Sequence, residues 1–278
     1  MILPSMKTIR LRIAYEGTNY AGWQTQPNQR TIQGEVERAI QKLTGQPVSL
    51  LCAGRTDSGV HALGQVASFR SDFSIPPNRW RPALQSKLPD DIVILESDEV
   101  PEDFHATFAA KSKRYRYVIY NSVVDHPFWR RFVWRISQKL DAEAMNEAAQ
   151  SLVGKHDFRS FESHWPNKAT SIRTIKELSV HRSGQWDLWS PEHTRSQSRS
   201  ELQNQPQSDD GDFICLEIEA DGFLYNMVRT IMGTLVNVGR GTWTAADIER
   251  ILHAQDRTIA GGTAPASGLF MAQVYYDV

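Results

Sequence analysis

Residues 48–69 read VSLLCAGRTDSGVHALGQVASF, two apolar runs on either side of a short polar loop. Each run predicts a strand, because short apolar segments bounded by glycine and polar residues are typical of buried strands. The loop between them holds Arg55 and Asp57, and it is bounded by Gly54 and Gly59, which can adopt backbone conformations closed to other residues. The stretch therefore predicts a carboxylate presented on a glycine-bounded loop between two strands.

This loop has two interpretations. A carboxylate such as Asp57 facing a groove is what covalent or acid–base chemistry on a sugar or base requires, and Arg55 can hold it ionised or bind a phosphate beside it. In the other interpretation, Asp57 only caps nearby amides in a turn, as Asp often does. The loop by itself favours the turn, so the choice depends on the rest of the chain.

Each half of the chain repeats one order of elements: strand, helix, strands, helix, strand. In the first half, strands are predicted at 8–15, 48–53, 64–69 and 92–96, with helices between Thr31 and Gly45 and at 76–86. In the second, strands are predicted at 114–120, 172–180, 213–220 and 269–276, with helices at 141–152, 226–238 and 244–253. We therefore predict an α+β fold of two related subdomains with antiparallel sheets packed against helices.

We place the N-terminal subdomain at residues 1–108, which include the Asp57 loop, and the C-terminal subdomain at 109–278, which include Tyr115 and Arg229. Residues 190–212 are rich in Ser, Gln and charged residues and hold one aliphatic side chain, Leu202. This composition predicts a flexible insertion between two paired strands, to which we assign no chemistry.

Composition and cysteine usage indicate a cytoplasmic enzyme. A length of 278 residues, 40% hydrophobic and 23% charged, is ordinary for a soluble globular protein of one large or two small domains. No apolar run reaches the length of a membrane span, and the N-terminus has no apolar leader. Cys52 and Cys215 lie far apart in strand-like runs and are expected to be reduced and buried.

The charge is segregated along the chain although its net value is −1. Residues 104–135 contain seven basic residues against a single acid, Asp125. They are Lys111, Lys113, Arg114, Arg116, Arg130, Arg131 and Arg135. This pattern predicts either a positive surface for nucleic acid or a solvated basic face.

Within that basic region, residues 114–120 alternate Arg and Tyr on a predicted strand. Such a strand offers cations to phosphates and flat rings to bases, and stacking contributes about 1–3 kcal/mol per base. Tyr115 and Tyr117 share one face, so a strand with a buried tyrosine face is the alternative.

Arg229 lies in an apolar helix, where an unpaired cation is expensive to bury. It needs a carboxylate partner, for which Asp57 is a candidate, unless it lies on an exposed helix face. The eight histidines show no metal-ligand spacing, and no nucleotide-binding or serine-nucleophile motif is present. We therefore expect no metal and no cofactor.

The order of the motifs resembles a tRNA pseudouridine synthase of the TruA family, the enzymes that act on the anticodon arm. The similar segments span nearly the whole chain in the family's order: YEGTNYAGWQ (15–24), TIQGEVERAI (31–40), AGRTDSGVHALGQV (53–66), DFHATFAAKSKRYRYVI (103–119), GKHDFRSF (154–161), SIRTI (171–175), ADGFLYNMVRTIMGTLVNVGRG (220–241) and GGTAPASGLFMAQVYY (261–276). Departures are Ser58 where many members have Ala, Phe270 where many have Tyr, and the insertion.

The resemblance implies the pseudouridine synthase fold, with the active-site cleft between the subdomains, and isomerisation of uridine at tRNA positions 38, 39 and 40. It implies that Asp57 is the catalytic aspartate and Arg229 its basic partner, that Arg55 helps to flip the nucleotide, and that Tyr115 packs on the flipped base. It also implies a homodimer without metal or cofactor. The further RNA contacts that we predict are Phe104, His105, Lys111, Lys113, Arg114, Arg116 and Arg173.

Three other functions stay open on the residues alone. A non-catalytic RNA-binding module needs the basic strand and the tyrosines but not Asp57. A nucleoside hydrolase uses Asp57 with water and releases the free base. A structural protein uses RTDSG as a simple turn.

Overall fold

The computed structural model describes residues 6–163, 170–184 and 211–277. The chain divides into two compact units, the first made of Met1–Lys111 with Met271–Val278 and the second of Ser112–Phe270. The strands are β1 (Lys7–Tyr15), β2 (Leu51–Cys52), β3 (His61–Ser71), β4 (Ile92–Val100), β5 (Ala110–Tyr120), β6 (Trp134–Arg135), β7 (Gly154–Asp157), β8 (Ile172–Ser183), β9 (Phe213–Ala220) and β10 (Leu269–Tyr276). The helices are α1 (Ile32–Thr44), α2 (Trp80–Gln85), α3 (Ala142–Ala149), α4 (Met227–Gly239) and α5 (Ala245–Ala254).

The first unit is a sheet in the order β4-β1-β3-β10, with β2 beside β3. Strand β1 is antiparallel to both β3 and β4, and Ile9, Leu11 and Ile13 on one of its faces are buried. Helix α1 begins where Thr31 accepts a hydrogen bond from the amide of Gly34, and it ends at Gly45, which has a φ of 74°. Both ends of this helix follow the signals in the sequence.

The second unit is an antiparallel sheet in the order β5-β9-β8-β7, with β6 parallel to β5. Residues 115–120 of β5 are buried without interruption, so both faces of this strand are covered. Helix α3 begins at Asp141, whose carboxylate accepts from the amide of Ala144, and it packs on β8. Helix α5 begins with a capping box formed by Thr244 and Asp247.

The α+β class and most predicted elements are confirmed, and three predictions are corrected. The strand predicted at 48–53 is only Leu51–Cys52, because the amide of Leu50 donates to Glu37 of α1 at 2.9 Å instead of to a neighbouring strand. The helix predicted at 76–86 is a 3₁₀ turn, Pro77–Arg79, followed by the short α2. No strand is predicted between the helix at 141–152 and the strand at 172–180, whereas the structure has β7 there, which begins at Gly154 with a φ of 110°.

The last strand, β10, brings C-terminal residues into the first unit. Met271–Val278 belong with Met1–Lys111, and β10 lies next to β3. Residues 190–210 of the predicted insertion lie outside the described residues. Within the described ranges, no helix is both long and apolar enough to span a membrane.

Candidate active site

The Asp57 loop is a tight turn with a half-buried carboxylate. The carbonyl of Asp57 accepts a hydrogen bond from the amide of Val60 at 3.1 Å. Gly59, the third residue of this turn, has a φ of 78°, a conformation that favours glycine. Arg55 is exposed, whereas Thr56 between the two charged residues is buried. The turn interpretation therefore describes the backbone, and it leaves the Asp57 side chain partly open to solvent.

A second loop, residues 16–30, packs closely against the backbone of this turn. A Cβ placed on Gly17 lies 2.0 Å from the carbonyl oxygen of Val60, so a larger residue has no room there. Gly22 has a φ of 96°, and a Cβ on it lies 2.6 Å from the carbonyl oxygen of Thr56. Both glycines are required by close approach of one backbone to another.

Hydrogen bonds reinforce that contact between the two loops. The amide of Trp23 donates to the carbonyl of Thr56 at 2.9 Å, and the Ser58 hydroxyl donates to the carbonyl of Tyr20 at 3.1 Å. The amide of Gly17 donates to Nδ1 of the buried His61 at 3.0 Å, which assigns the neutral imidazole its proton on Nε2. These bonds fix the backbone that carries Asp57.

Tyr15 supports the loop from the core side. Its hydroxyl is 2.8 Å from that of Thr56, and its ring lies 6.0 Å from the buried ring of Trp23. Burial raises the pKa of Tyr15 well above its usual range. This phenol is therefore a neutral structural group, and the acid of the loop remains Asp57 alone.

In the second unit, Arg229 is oriented by its own helix and by a neighbouring segment. Its Nε donates to the carbonyl of Ala264 at 2.7 Å, and its Nη1 donates to Asn226 Oδ1 at 2.9 Å. The amide of Ala264 donates back to the carbonyl of Arg229 at 3.1 Å. The segment approaches α4 closely, because a Cβ on Gly233 lies 1.9 Å from the carbonyl oxygen of Gly262.

Two more of the predicted residues lie beside the connection between β9 and α4. The buried ring of Tyr115 lies 4.9 Å from that of Phe223, edge to face. The side chain of Arg173 lies within 3.5 Å of a Cβ placed on Gly222. Tyr115, Arg173 and Arg229 thus each contact the chain near residues 222–226.

The two arginines of β5 are both paired with acids, and they differ in exposure. Arg116 is fully buried, and its Nε donates to Glu217 at 2.8 Å. Arg114 forms ion pairs with Glu177, Glu217 and Glu219. We therefore correct the prediction that Arg116 contacts RNA, since its charge is used inside the sheet. Arg114 is also balanced by acids, which lie on β8 and β9.

The other predicted RNA contacts lie at the start of β5 and before it. Phe104 is half-buried, with the guanidinium of Arg10 5.8 Å from its ring and the Tyr276 ring 5.2 Å away. His105 is half-buried against Phe108. Lys111 is exposed and pairs with Asp277 at 2.9 Å, and Lys113 is half-buried.

Comparisons with known proteins show the family of this chain. The profile described as tRNA pseudouridine synthase matches residues 12–109 and 148–277. The chain belongs to the tRNA pseudouridine synthase family. Asp57 and Arg229 lie within the matched segments, and Tyr115 lies between them.

Curated relatives extend the similarity over almost the entire chain. The chain is 46% identical to tRNA pseudouridine synthase A of Acetivibrio thermocellus over 271 residues, which cover 98% of this chain and 100% of that protein. The corresponding enzymes of Moorella thermoacetica and Brevibacillus brevis are 44% and 42% identical, each covering 98% of this chain and 100% of the relative.

Sequence reasoning missed residues that act through contacts distant along the chain. Asn226 adopts a φ of 61° before α4 and holds Arg229, and an Asn directly before a helix was the available signal. Phe223 contacts Tyr115 across 108 residues of sequence, and no periodicity indicates that contact.

Among the described residues, no three His, Cys, Asp or Glu side chains are grouped as metal ligands.

Proposed function

We propose that this chain converts uridine to pseudouridine at positions 38, 39 and 40 of the tRNA anticodon stem-loop, with Asp57 as the catalytic residue. Membership of the tRNA pseudouridine synthase family carries the reaction class, which makes the chain an isomerase acting on tRNA. The positions within the tRNA and the roles of single residues follow the family resemblance. The observation that supports Asp57 is that it is the sole acid of residues 53–61, a loop held in place by two close backbone contacts.

The chemistry requires that carboxylate to be ionised. Breaking the N1–C1′ bond of uridine develops positive charge at C1′, which a nearby carboxylate stabilises. Burial favours the neutral acid, and a guanidinium close to the carboxylate opposes that effect. In our proposal Arg229 supplies the guanidinium, and its bonds to Ala264 and Asn226 support this role because they restrict its orientation.

The uridine must also leave its helix before it can react. Extruding a base costs a few kcal/mol, and a cation inserted in its place offsets part of this. Arg55, exposed and two residues from Asp57, is the group that we assign to this step. Tyr115 is assigned to pack on the flipped base, so that the base stays bound while it rotates. Lys111, Lys113, Arg114 and Arg173, with Phe104 and His105, complete the proposed RNA contacts.

The deciding experiment is Asp57→Asn, assayed by tritium release from uracil C5 of labelled tRNA and by mapping of the modified position. We expect tRNA binding to be retained and the rate to fall by about 10²- to 10⁴-fold, as for loss of a positioned acid or base. Asp90→Asn, at an exposed carboxylate of the same unit, is the matched control and should keep the wild-type rate. Near wild-type pseudouridine formation by Asp57→Asn would remove Asp57 from the mechanism.

The same assay separates the alternative functions. A hydrolase releases free uracil, whereas the isomerase keeps the base in the RNA at unchanged mass. A binding module shows neither product. From the family resemblance we also propose that the protein is a homodimer and that it works in the cytoplasm. Light scattering of the purified protein tests the dimer.

A further inference from the structure

Phe108 is a large apolar residue that is almost fully exposed to solvent. The residue is 83% exposed, and no large apolar residue in the described parts of the chain is more exposed. It lies in the turn before β5, between the predicted RNA contacts His105 and Lys111. A single exposed apolar residue needs no explanation by itself, so the surrounding contacts decide its meaning.

The backbone around Phe108 is held on both sides. The hydroxyl of Thr107 donates to the carbonyl of Cys52 at 2.6 Å, and the hydroxyl of Tyr276 donates to the carbonyl of the buried Ala106 at 2.8 Å. The amide of Ala109 donates to the carbonyl of His105 at 2.9 Å. The loop is therefore ordered by its neighbours, and Phe108 is exposed on a fixed support.

A second flat ring backs the first. The His105 ring centroid lies 4.2 Å from that of Phe108, with the ring planes 35° apart. Nδ1 of His105 accepts from the amide of Thr107 at 3.2 Å, which fixes the orientation of the imidazole. One ring is thus positioned to support the other, as in a surface on which a base stacks.

The position links this ring pair to the catalytic loop within the same unit. Cys52, the residue that Thr107 anchors to, is in β2 and precedes Asp57 by five positions. Lys111 lies three positions beyond Phe108 and supplies a cation; its side chain is 57% exposed, and its ion pair with the exposed Asp277 is weakened by water. Aromatic rings with a neighbouring cation are the features that bind single-stranded nucleotides.

We propose that Phe108, backed by His105, is a stacking surface for an unpaired nucleotide of the RNA substrate. This inference rests on the proposed function, and it adds a binding residue that the motif comparison does not assign. Stacking on an aromatic face is tolerant of base identity, so this contact contributes affinity and leaves the choice of position to other residues.

The test measures the Kd for an anticodon stem-loop RNA and the single-turnover rate of pseudouridine formation. Phe108→Ala and Phe108→Leu should both raise the Kd by roughly 5- to 150-fold, the range of one lost base stack. Phe108→Trp should stay within about threefold of wild type. The dependence of the Kd on salt should keep its slope in all variants, because no phosphate contact is lost.

Phe73→Ala, at another exposed phenylalanine of the same unit, is the control and should leave the Kd unchanged. The proposal is overturned if Phe108→Leu binds like wild type, which would mean that a flat ring is unnecessary, or if Phe73→Ala weakens binding equally. A wild-type protein that binds the RNA but forms no pseudouridine would overturn the proposed function while the binding measurements still test Phe108.

Discussion

Strands β1 and β5 each carry two arginines separated by a single residue, and the structure places the two pairs in different surroundings. On β1, the side chains of Arg10 and Arg12 are 23% and 26% exposed, and their acidic partners are 47% and 61% exposed. On β5, the side chain of Arg116 is fully buried and that of its partner Glu217 is 10% exposed.

The pairing itself follows the same rule on both strands. Arg10 lies opposite Asp98 and Arg12 opposite Glu96 in the β1–β4 ladder. Arg114 lies opposite Glu219 and Arg116 opposite Glu217 in the β5–β9 ladder. Opposite charges directly across an antiparallel pair stabilise it in either case.

The difference is one of dielectric surroundings. An exposed pair contributes about 0–1 kcal/mol because water screens the attraction. Removing one member of a buried pair costs about 3–5 kcal/mol, since the remaining charge has no water around it. The same Arg-x-Arg pattern therefore contributes little to the stability of β1 and much to that of β5.

The largest expected effect comes from breaking the buried pair with Glu217→Ala. Because Arg116 is left charged in the core, the free energy of unfolding should fall by about 3–5 kcal/mol, measured by urea denaturation. Replacing both members, in Arg116→Met with Glu217→Leu, should be close to neutral because neither charge of the pair is left behind and Arg114 keeps Glu177 and Glu219 as partners. A loss below about 1 kcal/mol in the single variant would contradict a desolvated pair.

The next effect is a dependence on pH. Burial acts to raise the pKa of Glu217, but Arg116 and Arg114 outweigh it and hold the pKa below its usual value. With the folded pKa below the unfolded value of about 4.3, the stabilisation is fully present above that pH and is lost as pH falls through the folded pKa. Urea titrations of the wild type between about pH 3 and 6 should show this fall, and the double variant should show a shallower one.

The smallest effect is expected on β1. Glu96→Ala removes the exposed partner of Arg12, 2.6 Å away, and should lower the free energy of unfolding by less than about 1 kcal/mol. The difference should shrink further at about 1 M salt, where exposed charges are screened. A loss as large as that of Glu217→Ala would show that exposure does not separate the two strands.

Local signals in the sequence predicted the elements well. The caps at Thr31, Gly45 and Asp141 follow from hydrogen bonds within a few residues, and the helix ends lie where these residues place them. The shared face of Tyr115 and Tyr117 likewise follows from the period of a strand. Features set by contacts within a few residues, such as helix ends and strand faces, can therefore be predicted from the sequence.

Contacts distant along the chain were not predictable in this way. Residues 104–135 were expected to form a positive surface, but Arg116 is buried and paired with Glu217. That partner is 101 positions away in sequence, so local patterns could not indicate it. The display of Phe108 depends on Cys52 and Tyr276, which are far from it in sequence. The candidate catalytic residues came from motif order, since periodicity does not indicate which carboxylate meets which arginine.

The close approach of Gly17 and Gly22 to the Asp57 turn has a consequence for protein engineering. Neither glycine lies in residues 53–61, yet Gly17 leaves no space for a side chain against the carbonyl of Val60, and Gly22 leaves none against that of Thr56. The unit that has to be transferred together is therefore two segments of chain, the Asp57 turn and residues 16–30. A chimera that exchanges the turn with a distant homologue has to exchange its backing loop as well, or the carboxylate is presented by a backbone that no longer fits its support.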